Sequence, residues 1–129
     1  MMSNSTASPL TTIATALMGM TVLVHIFLGG PEVNEPLNSS ELPDFLRAFA
    51  TILWHAVTVV LIALTFGLIM LRNRPDFALE TMVSGIQIGF AALFIWYGSA
   101  RLGTVWLMPQ WVIFTIIPII TRLGQNGRS

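Results

Sequence analysis

The stretch AFATILWHAVTVVLIALTFGLIML, residues 48–71, decides the fold because it runs for 24 residues without Asp, Glu, Lys or Arg. A helix rises about 1.5 Å per residue, so a helix of this length exceeds a hydrocarbon core of roughly 30 Å. Three further stretches are comparably apolar: 10–28, 79–97 and 106–120. The sequence therefore predicts an all-α integral membrane protein, folded as a four-transmembrane-helix antiparallel bundle with short loops.

The composition supports a membrane location and excludes several functions. Hydrophobic residues make up 54% of the chain and charged residues 9%, whereas a soluble domain has about 25% charged residues. The chain has six arginines and no lysine, and the arginines are scattered. This excludes the clustered basic surface that nucleic-acid binding needs. The absence of cysteine excludes thiol redox chemistry, iron–sulfur clusters and thiolate zinc sites.

The whole chain, 1–129, is predicted to form one transmembrane domain. Its four predicted helices are 10–28, 45–71, 79–99 and 104–121. The sequence Gly29-Gly30-Pro31 predicts the end of the first helix, because proline cannot continue an α-helix and glycine often terminates one. The longest polar connection is then 29–44.

The arginines divide unevenly between the two sides of the predicted bundle. Arg47 and Arg101 belong to one side, and the other side has four: Arg72, Arg74, Arg122 and Arg128. Since cytoplasmic loops carry the excess of basic residues, both termini are expected in the cytoplasm. The expected location of the protein is the inner (plasma) membrane of a bacterium. Aromatic residues that would form a belt on the outer side are Trp96, Tyr97, Trp106 and Trp111.

Each predicted helix carries its few polar residues mainly along one face, and such faces turn inward in hydrocarbon. The two histidines, His25 and His55, fall in the outer half of the first two helices. They would lie beside a polar pocket for a lipid head group, a quinone or a small polar solute. Glu32 would join them if the chain folds back at Gly29-Gly30-Pro31. The candidate pocket residues are His25, Glu32, Arg47, Thr51, His55, Gln87, Arg101 and Gln110.

Other interpretations of the histidines remain open. Each imidazole could simply join helices by hydrogen bonds, or His25 and His55 could ligate haem b or a metal ion. A small enzyme acting on a lipid-soluble substrate could use His55 and Glu32 as acid and base. The expected function is non-enzymatic: a ligand-binding protein or an accessory subunit.

The sequence Gly85-x-x-x-Gly89 is a close-packing motif of membrane helices. It lies nearly opposite the polar face of the third predicted helix, so it is expected to point away from the bundle. Besides the lipid bilayer, the expected partner is a second copy of the chain or a larger membrane complex that contacts Gly85 and Gly89.

Overall fold

The computed structural model describes residues 7–128, and these fold into helices joined by short connections. The elements, in chain order, are α1 (Pro9–Val24), a π-helical segment (His25–Asn34), α2 (Glu35–Asn38), α3 (Asp44–Asn73), α4 (Phe77–Leu102) and α5 (Gln110–Asn126). The prediction of an all-α protein is confirmed.

Three helical stretches of the described residues are long and apolar enough to cross a membrane: Pro9–Asn38, Asp44–Asn73 and Phe77–Leu102. Large apolar side chains on them are exposed, and in the middle of α3 Val59 is 66% and Phe66 63% exposed. Exposing apolar surface to water costs about 25 cal/mol per Å², so these exposed side chains are more stable in lipid than in water. Helix α5 has 17 residues and is the shortest of the four long helical stretches in residues 7–128.

The first helical stretch continues beyond the predicted end at Leu28 and reaches Asn38. The backbone changes to a π-helix, in which the N–H of Glu35 bonds the carbonyl of Gly30. In an α-helix the ring of Pro31 would clash with the carbonyl four residues earlier. The wider π turn bonds five residues back instead, so the chain passes Pro31 without ending. The predicted connection 29–44 is reduced to 39–43.

The chain divides into two compact units. We call Met18–Thr65 the histidine unit, because it contains both histidines. We call the described residues 7–17 and 66–128 the terminal unit, because it contains both ends of the described chain.

In the terminal unit α5 packs antiparallel to α4. The Phe114 ring of α5 packs against Phe90 and Phe94 of α4, with centroid distances of 5.3 and 6.1 Å. Near one end of the pair Arg122 bonds Glu80. Near the other end, Gly98 lies against the backbone of Thr104, just before α5. Residues 104–122 therefore follow α4 along most of its length.

Gly124 allows the first turn of α1 to approach α5 closely. Ser8, which directly precedes α1, accepts a hydrogen bond from the Thr11 N–H and donates one to the Gly124 carbonyl (3.3 and 3.2 Å). This hydroxyl is a helix N-cap, and Pro9 suits the first helical position. A Cβ at Gly124 would lie 2.6 Å from Thr11 Oγ1 and 3.0 Å from the Thr11 backbone N. The contact therefore requires glycine.

The residues after Gly124 bond the C-terminal end of α3. Gln125 Nε2 donates to Thr11 Oγ1 and to the Leu71 carbonyl, at 3.0 and 3.2 Å. The Arg128 guanidinium donates to the carbonyls of Leu71, Arg72 and Asn73, at 2.9–3.2 Å. These are carbonyls that a helix end leaves without partners. The start of α1 and the ends of α3 and α5 therefore meet at one end of the terminal unit, which we call the arginine end.

We predict that Gly124→Ala lowers the free energy of unfolding by about 1–3 kcal/mol, the usual cost of overpacking. The added methyl group would separate α5 from the first turn of α1 and break the bonds of Ser8 and Gln125. Thermal unfolding in detergent measures the change. Gly127→Ala is the control, because a Cβ there meets nothing within 4 Å. Equal melting temperatures for the two variants would contradict the prediction.

Candidate functional site

His25 packs against Trp54 in the histidine unit. The two rings stack with centroids 4.1 Å apart and planes 15° from parallel. His25 Nε2 lies 3.4 Å from the Trp54 carbonyl oxygen. A Cβ at Gly29 would come within 2.8 Å of the Trp54 ring, so the glycine makes room for the indole. These contacts favour a role for His25 in joining helices.

The two histidines belong to no larger cluster of metal-ligating side chains among the described residues. His55 follows Trp54 in the chain and is exposed. Among residues 7–128, no group of three or more His, Cys, Asp or Glu is arranged to hold a metal ion. Protein zinc sites use three or four such ligands.

Two other candidate pocket residues of the histidine unit join α2 to α3. Arg47 donates to the Asn38 carbonyl at 3.1 Å and pairs with Asp44, and Thr51 Oγ1 donates to Asn38 Oδ1 at 2.6 Å. These bonds close the connection 39–43. Glu32 lies exposed on the continuing π-helix, and it forms none of the ion pairs found in residues 7–128. The fold-back that would bring it to His25 does not occur, because the helix does not end at Pro31.

The remaining candidates belong to the terminal unit. Gln87 is fully buried; its Nε2 donates to the Val83 carbonyl at 3.1 Å, and its Oε1 has no partner among the described residues. Arg101 and Gln110 are exposed. None of these three side chains bonds another candidate residue within the described part of the chain. The two glycines of the packing motif, Gly85 and Gly89, are also exposed, with open space where a Cβ would lie.

A groove of about 570 Å³ runs between α4 and α5 in the terminal unit. Its walls are mostly apolar, and Gly85 widens it because no side chain fills the space beside this residue. The lining residues are Phe77, Glu80, Thr81, Ser84, Gly85, Ile88, Pro118, Ile119, Arg122 and Leu123. The charged residues of this lining are Glu80 and Arg122, which lie near the start of α4 and the end of α5.

A second cavity, of about 400 Å³, continues the groove past these two charges. It shares Phe77, Glu80 and Arg122 with the apolar groove. The residues that it adds are more polar: Pro75, Asp76, Gln125 and Asn126. Together the cavities form one amphipathic groove, which we call the α4–α5 groove, with a long apolar part and a polar part at the arginine end.

The ion pair at the junction is asymmetric in its exposure. Arg122 NH1 lies 3.3 Å from both carboxylate oxygens of Glu80. The Glu80 side chain is 8% exposed and the Arg122 side chain 54%. Glu80 lies in the first turn of α4, where the helix dipole favours an acidic side chain. The Asp76 carboxylate caps the same helix, because it accepts a hydrogen bond from the Leu79 N–H at 2.9 Å. The carboxylates are thus held by the fold, while the guanidinium remains accessible.

This pair was not predicted from the sequence. Arg122 indicated only the orientation of the chain, and Glu80 was not among the candidate residues. The two residues are 42 positions apart, and no local pattern links them. One indication of this pair was present in the sequence: both charged residues are predicted to lie at the same side of the membrane.

Comparisons of this chain with protein-family models, with curated proteins and with solved structures find no match. No family is assigned. The chemistry of the α4–α5 groove therefore follows from its own shape and charges.

We predict that Arg122→Gln destabilises the protein by about 2 kcal/mol, because it leaves the buried Glu80 carboxylate without its partner. The double variant Glu80→Gln/Arg122→Gln should recover part of this loss, since no buried charge remains. Thermal unfolding in detergent tests both. Arg101→Gln is the matched control, because this exposed arginine forms no ion pair within residues 7–128. A double variant less stable than Arg122→Gln would contradict the prediction.

Proposed function

We propose that this chain is a four-span protein of the bacterial inner membrane, with both termini in the cytoplasm, that binds an amphiphilic ligand and performs no catalysis. The ligand would lie in the α4–α5 groove, with a hydrocarbon chain in the apolar part and an ionic group at the arginine end. The observation that carries this proposal is an apolar groove that ends at a half-exposed guanidinium. Such a protein would serve as a lipid-binding subunit within the membrane.

The packing of α5 along α4 supports a fourth span. The helix α5 alone would extend about 26 Å at 1.5 Å per residue, and the segment before it contains Trp106. The Trp106 ring packs against Trp111 with a centroid distance of 5.4 Å, and the Trp111 indole N–H donates to the Val105 carbonyl at 3.2 Å. Tryptophan favours the membrane interface. The segment 104–122 reaches from Gly98 to Glu80 of α4, which is about 27 Å of helix.

The contacts at the arginine end support a common side for both termini. The Ser8 N–H donates to the Arg72 carbonyl at 3.4 Å, and Arg128 bonds the same carbonyl. The start of α1, the α3–α4 connection and the end of α5 thus lie together and carry most of the arginines. The positive-inside rule assigns that side to the cytoplasm.

The dimensions of the groove favour a membrane lipid over a small solute. Its apolar part follows α4 from Glu80 to Ile88, which is about 12 Å of helix. One leaflet of a 30 Å hydrocarbon core is about 15 Å thick. An acyl chain would therefore follow the groove through most of the cytoplasmic leaflet, with its head group beside Arg122.

Reporter fusions test the number of spans. We expect alkaline phosphatase, which is active only outside the cytoplasm, to be inactive when fused after Ser129 and active when inserted within 104–109. A fluorescent protein fused after Ser129 is the control for expression. Active phosphatase at both sites would indicate that α5 does not cross and would contradict the fourth span. Activity at the C-terminus alone would contradict the cytoplasmic position of both termini.

Lipid retention tests the groove. We expect Gly85→Leu to reduce the phospholipid that copurifies with the protein in mild detergent by about one molecule per chain, because the added side chain would fill the open space beside Gly85. Native mass spectrometry measures the bound lipid. Gly89→Leu is the matched control, since Gly89 is equally exposed on α4 but does not line the groove. Equal lipid retention by both variants would overturn the proposed function.

A further inference from the structure

We propose that the α4–α5 groove selects a zwitterionic phospholipid with a primary ammonium group, that is, phosphatidylethanolamine of the cytoplasmic leaflet. This inference rests on the proposed function, because it names the ligand of the same groove. It depends on the charges that line the polar part: the Arg122 guanidinium and the carboxylates of Asp76 and Glu80.

The phosphate would bind Arg122. Among residues 7–128, this side chain holds Glu80 through NH1. A guanidinium has five N–H donors, so Nε and NH2 retain donors that no described residue uses. Two parallel N–H donors on one side of a guanidinium match the oxygens of a phosphate, and such bidentate pairs are the stronger kind of charged hydrogen bond. The Arg122 side chain is 54% exposed, so a ligand in the groove can reach it.

The ammonium group would bind the carboxylates. Glu80 and Asp76 line the polar cavity together with Arg122, so two acids face one base. Among the charged residues that line this cavity the acids outnumber the base, which favours a head group that carries a cation. The Gln125 and Asn126 side chains lie at the same cavity and extend its polar surface beyond the ion pair.

Three common head groups differ in how they meet this arrangement. The ethanolamine ammonium has N–H donors for the carboxylates, as a lysine ammonium does. The choline group has the same charge, but its methyl groups donate no such hydrogen bond. The glycerol head group of phosphatidylglycerol provides no cation, and its net negative charge is repelled by Asp76 and Glu80. We therefore expect the affinity to be highest for phosphatidylethanolamine, lower for phosphatidylcholine and lowest for phosphatidylglycerol.

The test is a competition among these lipids. The full-length protein, delipidated in mild detergent, is mixed with equal amounts of phosphatidylethanolamine, phosphatidylcholine and phosphatidylglycerol with identical acyl chains, and native mass spectrometry measures each bound fraction. We expect the ethanolamine lipid to exceed the glycerol lipid by about fivefold, the most that one solvent-exposed ion pair usually contributes, and to exceed the choline lipid by a smaller factor.

Asp76→Asn is the main variant, because asparagine caps a helix as well as aspartate does but carries no charge. We expect it to reduce the preference for the ethanolamine lipid over the glycerol lipid to about twofold, because one of the two carboxylates that line the cavity loses its charge. Arg122→Lys keeps the positive charge and loses the bidentate geometry, so it should weaken binding of all three phospholipids. Helix content and melting temperature show whether each variant is folded.

The outcomes separate this inference from the proposed function. Equal binding of the three lipids by the unmodified protein, with binding still reduced by Gly85→Leu, would overturn the head-group selectivity and leave the groove as a lipid site. An unchanged preference in folded Asp76→Asn would also overturn it. No retained lipid in the unmodified protein would overturn the proposed function itself.

Discussion

The terminal unit depends on the requirement that polar groups removed from water find partners within the protein. This requirement is met at Gly124, where the missing side chain allows α5 to approach the first turn of α1. Ser8 then bonds the Gly124 carbonyl, and Gln125 bonds Thr11 and Leu71. Arg128 satisfies the last carbonyls of α3. Three chain segments that are distant in sequence are thus joined by hydrogen bonds that each of them needs.

This joint also explains why the α4–α5 groove has charge at one end. Because the end of α5 is held beside Thr11 and Leu71, Arg122 lies one turn before that joint, at the level of Glu80. Gly85 provides no side chain to close the space along α4. The same packing that satisfies the helix ends therefore leaves an apolar groove with a charged end.

Local features of the sequence predicted the helices better than the contacts between them. The charge-free run 48–71 requires a helix in a membrane, and it lies within α3 as expected. Gly29-Gly30-Pro31 did not end the first helix, because a π-helical turn accommodates Pro31 and Trp54 occupies the space beside Gly29. Trp54 is 25 positions from Gly29, so no window of sequence around the proline contains this contact.

The histidines illustrate the same limit for the candidate site. A rare ionisable residue in an apolar helix is a reasonable functional candidate, but the stacking of His25 on Trp54 became visible only with the fold. For the pair Glu80–Arg122, the sequence shows two charged residues but does not predict their contact. The two positions are 42 residues apart, so no local pattern joins them.

Stability alone is a poor explanation for the Glu80–Arg122 pair. A partly buried ion pair loses hydration that its Coulombic attraction often only balances, and well-packed apolar residues frequently replace such pairs without loss. Here the attraction is also weakened, because NH1 is 3.3 Å from each oxygen and the Arg122 side chain is 54% exposed. An apolar pair at these positions would suit the adjoining groove wall equally well. The pair is therefore explained better by the proposed binding of a ligand that carries both signs of charge than by its contribution to the stability of the fold.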